Sequence, residues 1–169
     1  ACRWFTYNTS LTGNAENLTL KKADEPTPIA DRTGLSGTGN GFKNTITGTV
    51  FNDTLSGGVG IDTMIGGTGS DSYTVDATAD VVTETLVSTL ATEADTVNSS
   101  APTYTLSANV EKLILTDSAV SGIGNSLNNT ITGNNIANTL SGGTGNDAMT
   151  GGAADDTYIV DATGDEVTE

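Results

Sequence analysis

The sequence predicts an all-β repeat protein with a thin core, one apolar residue per rung, stacked along an axis. Three observations carry this. Gly, Ser, Thr, Asn and Ala dominate the 169 residues and aromatics supply only 5% of them, so a conventional core of large side chains is excluded. A nine-residue register recurs, with an oxygen-bearing side chain at position 6 and an apolar one at position 8. The register itself is duplicated: residues 37–84 and 122–169 match at 28 of 48 positions at an offset of 85.

The register is clearest at Gly57-Gly58-Val59-Gly60-Ile61-Asp62-Thr63-Met64-Ile65, followed at once by Gly66-Gly67-Thr68-Gly69-Ser70-Asp71-Ser72-Tyr73-Thr74. It returns at 142–150, with Gly142, Gly143, Gly145, Asp147 and Met149 in the same places. Glycines this closely spaced permit backbone angles that other residues resist. The turn can therefore curl its carbonyl oxygens inward beside the aspartate, which makes a site for a hard cation, calcium first among them.

Ten units follow the plan, at 39–47, 48–56, 57–65, 66–74 and 75–83, then at 124–132, 133–141, 142–150, 151–159 and 160–168. Position 6 reads Asn44, Asp53, Asp62, Asp71, Asp80 and Asn129, Asn138, Asp147, Asp156, Asp165. Position 8 reads Ile46, Leu55, Met64, Tyr73, Val82 and Ile131, Leu140, Met149, Tyr158, Val167. Residues 1–36 form an N-terminal strand-rich segment of the first long repeat, with about ten extra residues at 21–31, around Pro26 and Pro28. Residues 85–121 form a spacer with strands at Asp95-Thr96-Val97, Tyr104-Thr105-Leu106 and 110–116, its apolar run 110–115 packing a broader core beside the narrow blocks. Residues 86–90 suit a strand or a brief helical turn. The second block, 122–169, is expected to continue into further units.

The charge balance narrows function. With 21 acidic and 6 basic residues, no histidine and a formal net charge of -15, phosphate binding is excluded as a role, and with it nucleic acid and anionic membrane surfaces. No run of 18 apolar residues exists to insert into a membrane. Cys2 is the single cysteine, so no internal disulfide forms and bound metal is the natural source of rigidity. The segment Cys2-Arg3-Trp4-Phe5 has no long apolar core of a leader peptide. Trp4, Phe5 and Tyr7 suit either a cover on the first rungs or a loose terminus.

These units resemble the glycine-rich nonapeptide repeats of the RTX (hemolysin-type) calcium-binding family. Units 57–65, 66–74 and 142–150 carry the full pattern; 151–159 departs from it at Ala154, and 75–83 and 160–168 begin with Val-Asp. The resemblance implies a parallel β-roll, or β-solenoid, in which units n and n+2 stack and hold Ca²⁺ between their turns. It implies carbonyls at positions 2 and 4 with side chain 6 from one turn, and carbonyls at 1 and 3 with side chain 6 from its partner.

The implied sites join Gly58, Gly60 and Asp62 with Val75, Ala77 and Asp80, and Gly143, Gly145 and Asp147 with Val160, Ala162 and Asp165. A third joins Thr49, Phe51 and Asp53 with Gly66, Thr68 and Asp71. Amide-containing sites are weaker: Asn44 with Asp62, Asn129 with Asp147, and Asn138 with Gly151, Ala153 and Asp156. Roughly three to six ions are expected, at the weak affinities of extracellular modules, on the order of 10⁻⁴–10⁻³ M. Asp76 and Asp161, at position 2, read as solvated surface carboxylates rather than ligands.

The resemblance further implies a secreted bacterial protein using type I secretion, with more repeats or an effector domain on the same polypeptide, as in large adhesins. Catalysis has no support, for there is no histidine and no Gly-x-Ser-x-Gly elbow. The alternative is a surface-binding module presenting an outward threonine face (Thr45, Thr47, Thr54, Thr74, Thr130, Thr132) to ice or a glycan lattice.

Overall fold

A computed structural model of the chain describes residues 8–20, 33–85 and 93–169. The expectations for the Cys2–Tyr7 segment, for the insertion at 21–31 and for residues 86–90 lie outside them.

Strands β1 (Asn8–Ser10), β2 (Asn17–Thr19), β3 (Thr33–Thr38) and β4 (Thr45–Thr47) come first. Strands β5 (Asn52–Ser56), β6 (Thr63–Ile65), β7 (Ser72–Val75) and β8 (Val81–Thr83) complete the first block. They are followed by β9 (Thr96–Ser99), β10 (Thr103–Thr105), β11 (Lys112–Leu115) and β12 (Ser121–Ile123). The second block adds β13 (Thr130–Thr132), β14 (Thr139–Ser141), β15 (Ala148–Thr150), β16 (Thr157–Ile159) and β17 (Glu166–Thr168). There is no helix among the described residues.

Strands pair in parallel with the strand two places along. The odd-numbered strands form one nine-stranded sheet, β1 to β17, and the even-numbered strands form two four-stranded sheets, β2-β4-β6-β8 and β10-β12-β14-β16. The chain is thus a parallel β-solenoid. Its period follows from the nonapeptide: two units make one coil, so Thr45 sits over Thr63 and Thr63 over Val81, two units on each time. The step from β2 to β4 is longer, with Asn17 paired to Thr45, whereas Ser36 of β3 pairs with Thr54 of β5 at the regular step. The extra residues of the first repeat therefore fall between β2 and β3.

Strand alternation turns position 8 inward. Ile46, Met64 and Val82 stack on one side, Leu55 and Tyr73 on the other, and all are at most 1% exposed. Burying each such side chain stabilises the fold by about 1.5–3 kcal/mol. Two core positions are glycine. A β-carbon on Gly37 would meet Leu18 at 3.1 Å and Ile46 at 3.2 Å, and one on Gly122 would meet Leu113 at 3.0 Å, so small residues are required where bulkier neighbours converge.

The spacer joins the same stack. Leu113 lies in register between Val97 and Ile131, and Val110, Leu115, Ala101, Leu106 and Ala119 enlarge the core there. The broader core expected beside the blocks is therefore in line with them, as part of one continuous cluster. The rungs absorb the irregular sequence by changing length. Ser72 pairs with Thr96, a longer step than two units, and Thr96 pairs with Lys112, a shorter one.

One consequence of the count was hidden in the sequence. The 85-residue repeat carries β4 onto β13, nine strands later, and nine is odd. Identical Thr-Ile-Thr strands therefore sit in different sheets, β4 in a short one and β13 in the long one. Outward positions also stack in columns of mixed character: Thr130 lies under Ala148 and Glu166, and Thr63 under Val81, whereas Thr132, Thr150 and Thr168 form an unbroken threonine column.

Candidate metal centre

Position 6 builds a ladder along each edge. Its backbone N–H donates to the side chain of the residue two units on: Asn44 to Asp62 at 2.7 Å, Asp53 to Asp71 at 2.6 Å, and Asp62 to Asp80 at 2.9 Å. In the second block, Asn129 donates to Asp147 at 2.7 Å, Asn138 to Asp156 at 2.7 Å and Asp147 to Asp165 at 3.0 Å. One oxygen of each carboxylate is thus committed to holding adjacent rungs together. What the other oxygen does divides the turns into three kinds.

In the glycine-paired turns it has no protein partner. Oδ2 of Asp62, Asp71, Asp147 and Asp156 is buried and makes no hydrogen bond. These turns place Gly58, Gly60, Gly67, Gly69, Gly143, Gly145 and Gly152 at positive φ, and Ala154 follows at φ 79. The glycines also allow close approach: a β-carbon on Gly58 or Gly60 would lie 2.6 Å from the Asn40 carbonyl oxygen or 2.8 Å from that of Phe42. The carbonyls at positions 2 and 4 of one turn therefore face the turn above it. A buried anionic oxygen without a donor costs several kcal/mol unless it is protonated or meets a cation.

In the second kind of turn the backbone satisfies the carboxylate. Asp80 Oδ2 accepts from the N–H groups of Asp76 and Ala77 at 3.1 Å, and Asp165 Oδ2 accepts from those of Asp161 and Ala162 at 3.1 and 3.2 Å. Asp53 Oδ2 accepts from the Thr49 N–H and, at 2.9 Å, from its hydroxyl. In the third kind an asparagine amide replaces the acid. The amide nitrogens of Asn44, Asn129 and Asn138 donate downward to the carbonyls of Ala15 (3.2 Å), Val110 (3.0 Å) and Ala119 (3.0 Å). These amides supply the positive dipole that inward carbonyls need.

The predicted residues fall as follows. Gly58, Gly60 and Asp62 lie under the turn of Val75, Ala77 and Asp80, and Gly143, Gly145 and Asp147 lie under that of Val160, Ala162 and Asp165. Carboxylate oxygens of Asp147, Asp161 and Asp165 come within 4.8 Å of one another, and Asp161 in this group is exposed, as read from the sequence. Thr49, Phe51 and Asp53 lie under Gly66, Thr68 and Asp71, with the Thr49 carbonyl against Gly67. Asn138 lies under the turn of Gly151, Ala153 and Asp156, where Ala153 N–H donates to the Asn134 carbonyl at 3.2 Å.

Sequence reasoning missed the acids that carry the ladder through the spacer. Asp71 N–H donates to Asp95 at 2.7 Å, and Asp95 N–H donates to Glu111 at 2.8 Å. The signal was present: each acid precedes a buried apolar residue by two, Asp95 before Val97 and Glu111 before Leu113, as Asp71 precedes Tyr73. Glu84, just past β8, joins Asp71 and Asp95, and the Tyr73 hydroxyl donates to it.

Electrostatics mark the same places. Burial pushes Asp71 up to about 7, Glu84 up to about 8 and Asp95 up to about 6, and neighbouring carboxylates add to each. Asp62 and Asp147 are also raised, first by burial and then by the acids at positions 6 and 2 of the turn above. Asp165 is lowered, chiefly by the Asp147 N–H it accepts. Oxygen-only donors, excess negative charge and unpaired buried oxygens suit a hard divalent cation.

The fold and these turns define a calcium-binding repeat solenoid. The family model for the RTX calcium-binding nonapeptide repeat matches the chain in four copies, over residues 38–73 and 123–158, and these two blocks are RTX repeats. The matched spans contain every glycine-paired turn. No curated protein and no solved structure matches the chain.

Proposed function

We propose that this chain is the calcium-loaded structural part of a secreted protein and that it folds when it meets calcium outside the cell. The observation that carries this is the set of four buried aspartate oxygens, on Asp62, Asp71, Asp147 and Asp156, with no protein donor. Bound Ca²⁺ would supply the positive charge those oxygens lack and accept the carbonyls that face it.

The residues proposed to hold it are the stacked pairs already described. Gly58, Gly60 and Asp62 act with Val75, Ala77 and Asp80; Gly143, Gly145 and Asp147 act with Val160, Ala162 and Asp165. Thr49, Phe51 and Asp53 act with Gly66, Thr68 and Asp71, and Asn138 acts with Gly151, Ala153 and Asp156. Roughly three to six ions in all fit this set, at the charge counts of weak extracellular modules. Without cations the ladder sets carboxylates one strand spacing apart, about 4.7–4.9 Å, and their repulsion opposes folding. With cations the same groups become ligands, and binding free energy becomes folding free energy.

That coupling suits export in an unfolded state from a low-calcium compartment, followed by folding outside. It gives the module a structural role with no catalytic step, alongside further repeats or an effector domain on the same polypeptide. Far-ultraviolet circular dichroism with excess calcium and with chelator tests the reading. A β-sheet spectrum in calcium and a largely unfolded one in chelator are expected; identical spectra would overturn it.

A further inference from the structure

Where the first block meets the spacer, side-chain oxygens crowd a single point beside Gly66. A β-carbon there would land on Asp71 Oδ2 and the Tyr73 hydroxyl and lie 2.5 Å from Glu84 Oε1. Asp71, Glu84 and Asp95 are all buried, and one carboxylate oxygen from each lies within 4.8 Å of the others. Asp71 is 1% exposed, its Oδ2 has no hydrogen-bond partner, and that atom and Glu84 Oε1 crowd the same point beside Gly66. The charged neighbours acting on these three groups are themselves acidic: Asp53, Glu93 and Glu111.

The nonapeptide plan does not explain this cluster. The matched repeats stop at residue 73, and neither Glu84 nor Asp95 lies in a glycine-paired turn. The cluster instead draws on three places: the turn before β7, the end of β8 and the start of β9. These are the elements around the lengthened rung from Ser72 to Thr96, where the regular stack is interrupted. The second repeat holds the matching half of the arrangement. Tyr158 donates to Glu169 at 2.5 Å, and Asp156 Oδ2 is again unpartnered beside Gly151.

We propose that Asp71, Glu84 and Asp95 form a separate calcium site, made of side-chain carboxylates with the Tyr73 hydroxyl alongside, that fastens the irregular rung between the first block and the spacer. It shares Asp71 with the turn at 66–71 but does not depend on the other ladder positions being filled. Three carboxylates give it more charge than any position-6 pair, and calcium affinity rises with ligand charge. The Asp147, Asp161 and Asp165 group matches it in charge, but Asp161 there is exposed to competing water, so the fully buried set is the tightest site on the chain.

Calcium calorimetry on the full chain tests this, comparing the parent with Glu84→Gln/Asp95→Asn and with Asp147→Asn as a ladder control. The double variant is expected to bind one ion fewer and to lose the tightest class, with apparent affinity there down by about tenfold or more. Its circular dichroism in calcium should match the parent. Glu84→Gln alone, which keeps an acceptor for Tyr73, serves if the double variant does not fold, and should weaken the same class. Parent-like stoichiometry and affinity in a folded Glu84→Gln or double variant, with Asp147→Asn losing an ion, would overturn this site and leave the ladder reading intact. Absence of binding by the parent would overturn both.

Discussion

The turns at 57–62 and 124–129 do the same mechanical job and solve the same electrostatic problem differently. Each seats position 6 on the ladder and feeds a strand that starts with threonine and has a buried apolar centre, Met64 or Ile131. At 57–62 the position-6 residue is Asp62, whose second oxygen is buried without a donor. At 124–129 it is Asn129, whose amide donates to the carbonyls of Val110 and Glu111 at 3.0 and 3.3 Å. The first needs a cation to be satisfied, and the second carries its own donors. The need for a cation therefore differs from rung to rung: the amides of Asn44, Asn129 and Asn138 donate to carbonyls of the rung below, while the buried second oxygens of Asp62, Asp71, Asp147 and Asp156 have no donor.

The comparison breaks most visibly at the acid pairs. Asp62→Ala and Asp80→Ala should each remove one ion, because the two residues stack in one gap. Each should cost about 3 kcal/mol of stability when calcium stands a hundredfold above its dissociation constant. Calcium-dependent denaturant melts check this, and a harmless Asp80→Ala would refute the pairing.

Next in size is Asn129→Asp, which converts a sealed rung into an acidic one. Losing the two amide bonds should cost about 1–3 kcal/mol at limiting calcium, where the other sites still hold the chain folded. Added calcium should recover part of that loss and raise the stoichiometry, which calorimetry would count. A variant as stable as the parent under those conditions would show that the amide bonds carry no weight.

Proton competition should sharpen the picture. Asp71, Glu84 and Asp95 sit at about 7, 8 and 6, all above their unfolded values near 4. Groups raised on folding hold more protons in the calcium-free folded state than in the unfolded one. Their contribution is thus fully present below pH 4 and is lost as pH rises toward 8. Calcium must displace those protons, so calcium affinity should fall as pH drops from 8 to 6. Calorimetry at several pH values measures this, and a flat profile would contradict it.

The smallest effect belongs to Ala154, which holds φ 79 where the other glycine-paired turns have glycine. Ala154→Gly should stabilise the chain by about 1 kcal/mol, since a β-carbon strains the left-handed region. A shift of the thermal midpoint upward by a few degrees is expected.

Much of this was legible because the signals are local. The alternation of a strand forces position 8 inward, so Ile46, Leu55, Met64 and Tyr73 were readable as core from spacing alone. The glycine pairs with Asp62 and Asp147 announced cation chemistry for the same reason. Asp161 read as a surface acid and is exposed, but nothing in its own unit shows that its carboxylate lies close to Asp147. Asp95 and Glu111 were obscured by one lengthened and one shortened rung, which hide the register from a search at fixed period.

By itself, then, the sequence determined the nine-residue period, the thin core, the ladder of oxygen-bearing side chains and the choice of a hard cation. Each depends on contacts within a unit or on strand geometry. The tertiary structure alone decided which second oxygens find a donor, how the ladder crosses the spacer, and which edge each block occupies. Those depend on counting rungs across the whole chain, and an odd count of nine strands puts the two copies on opposite faces.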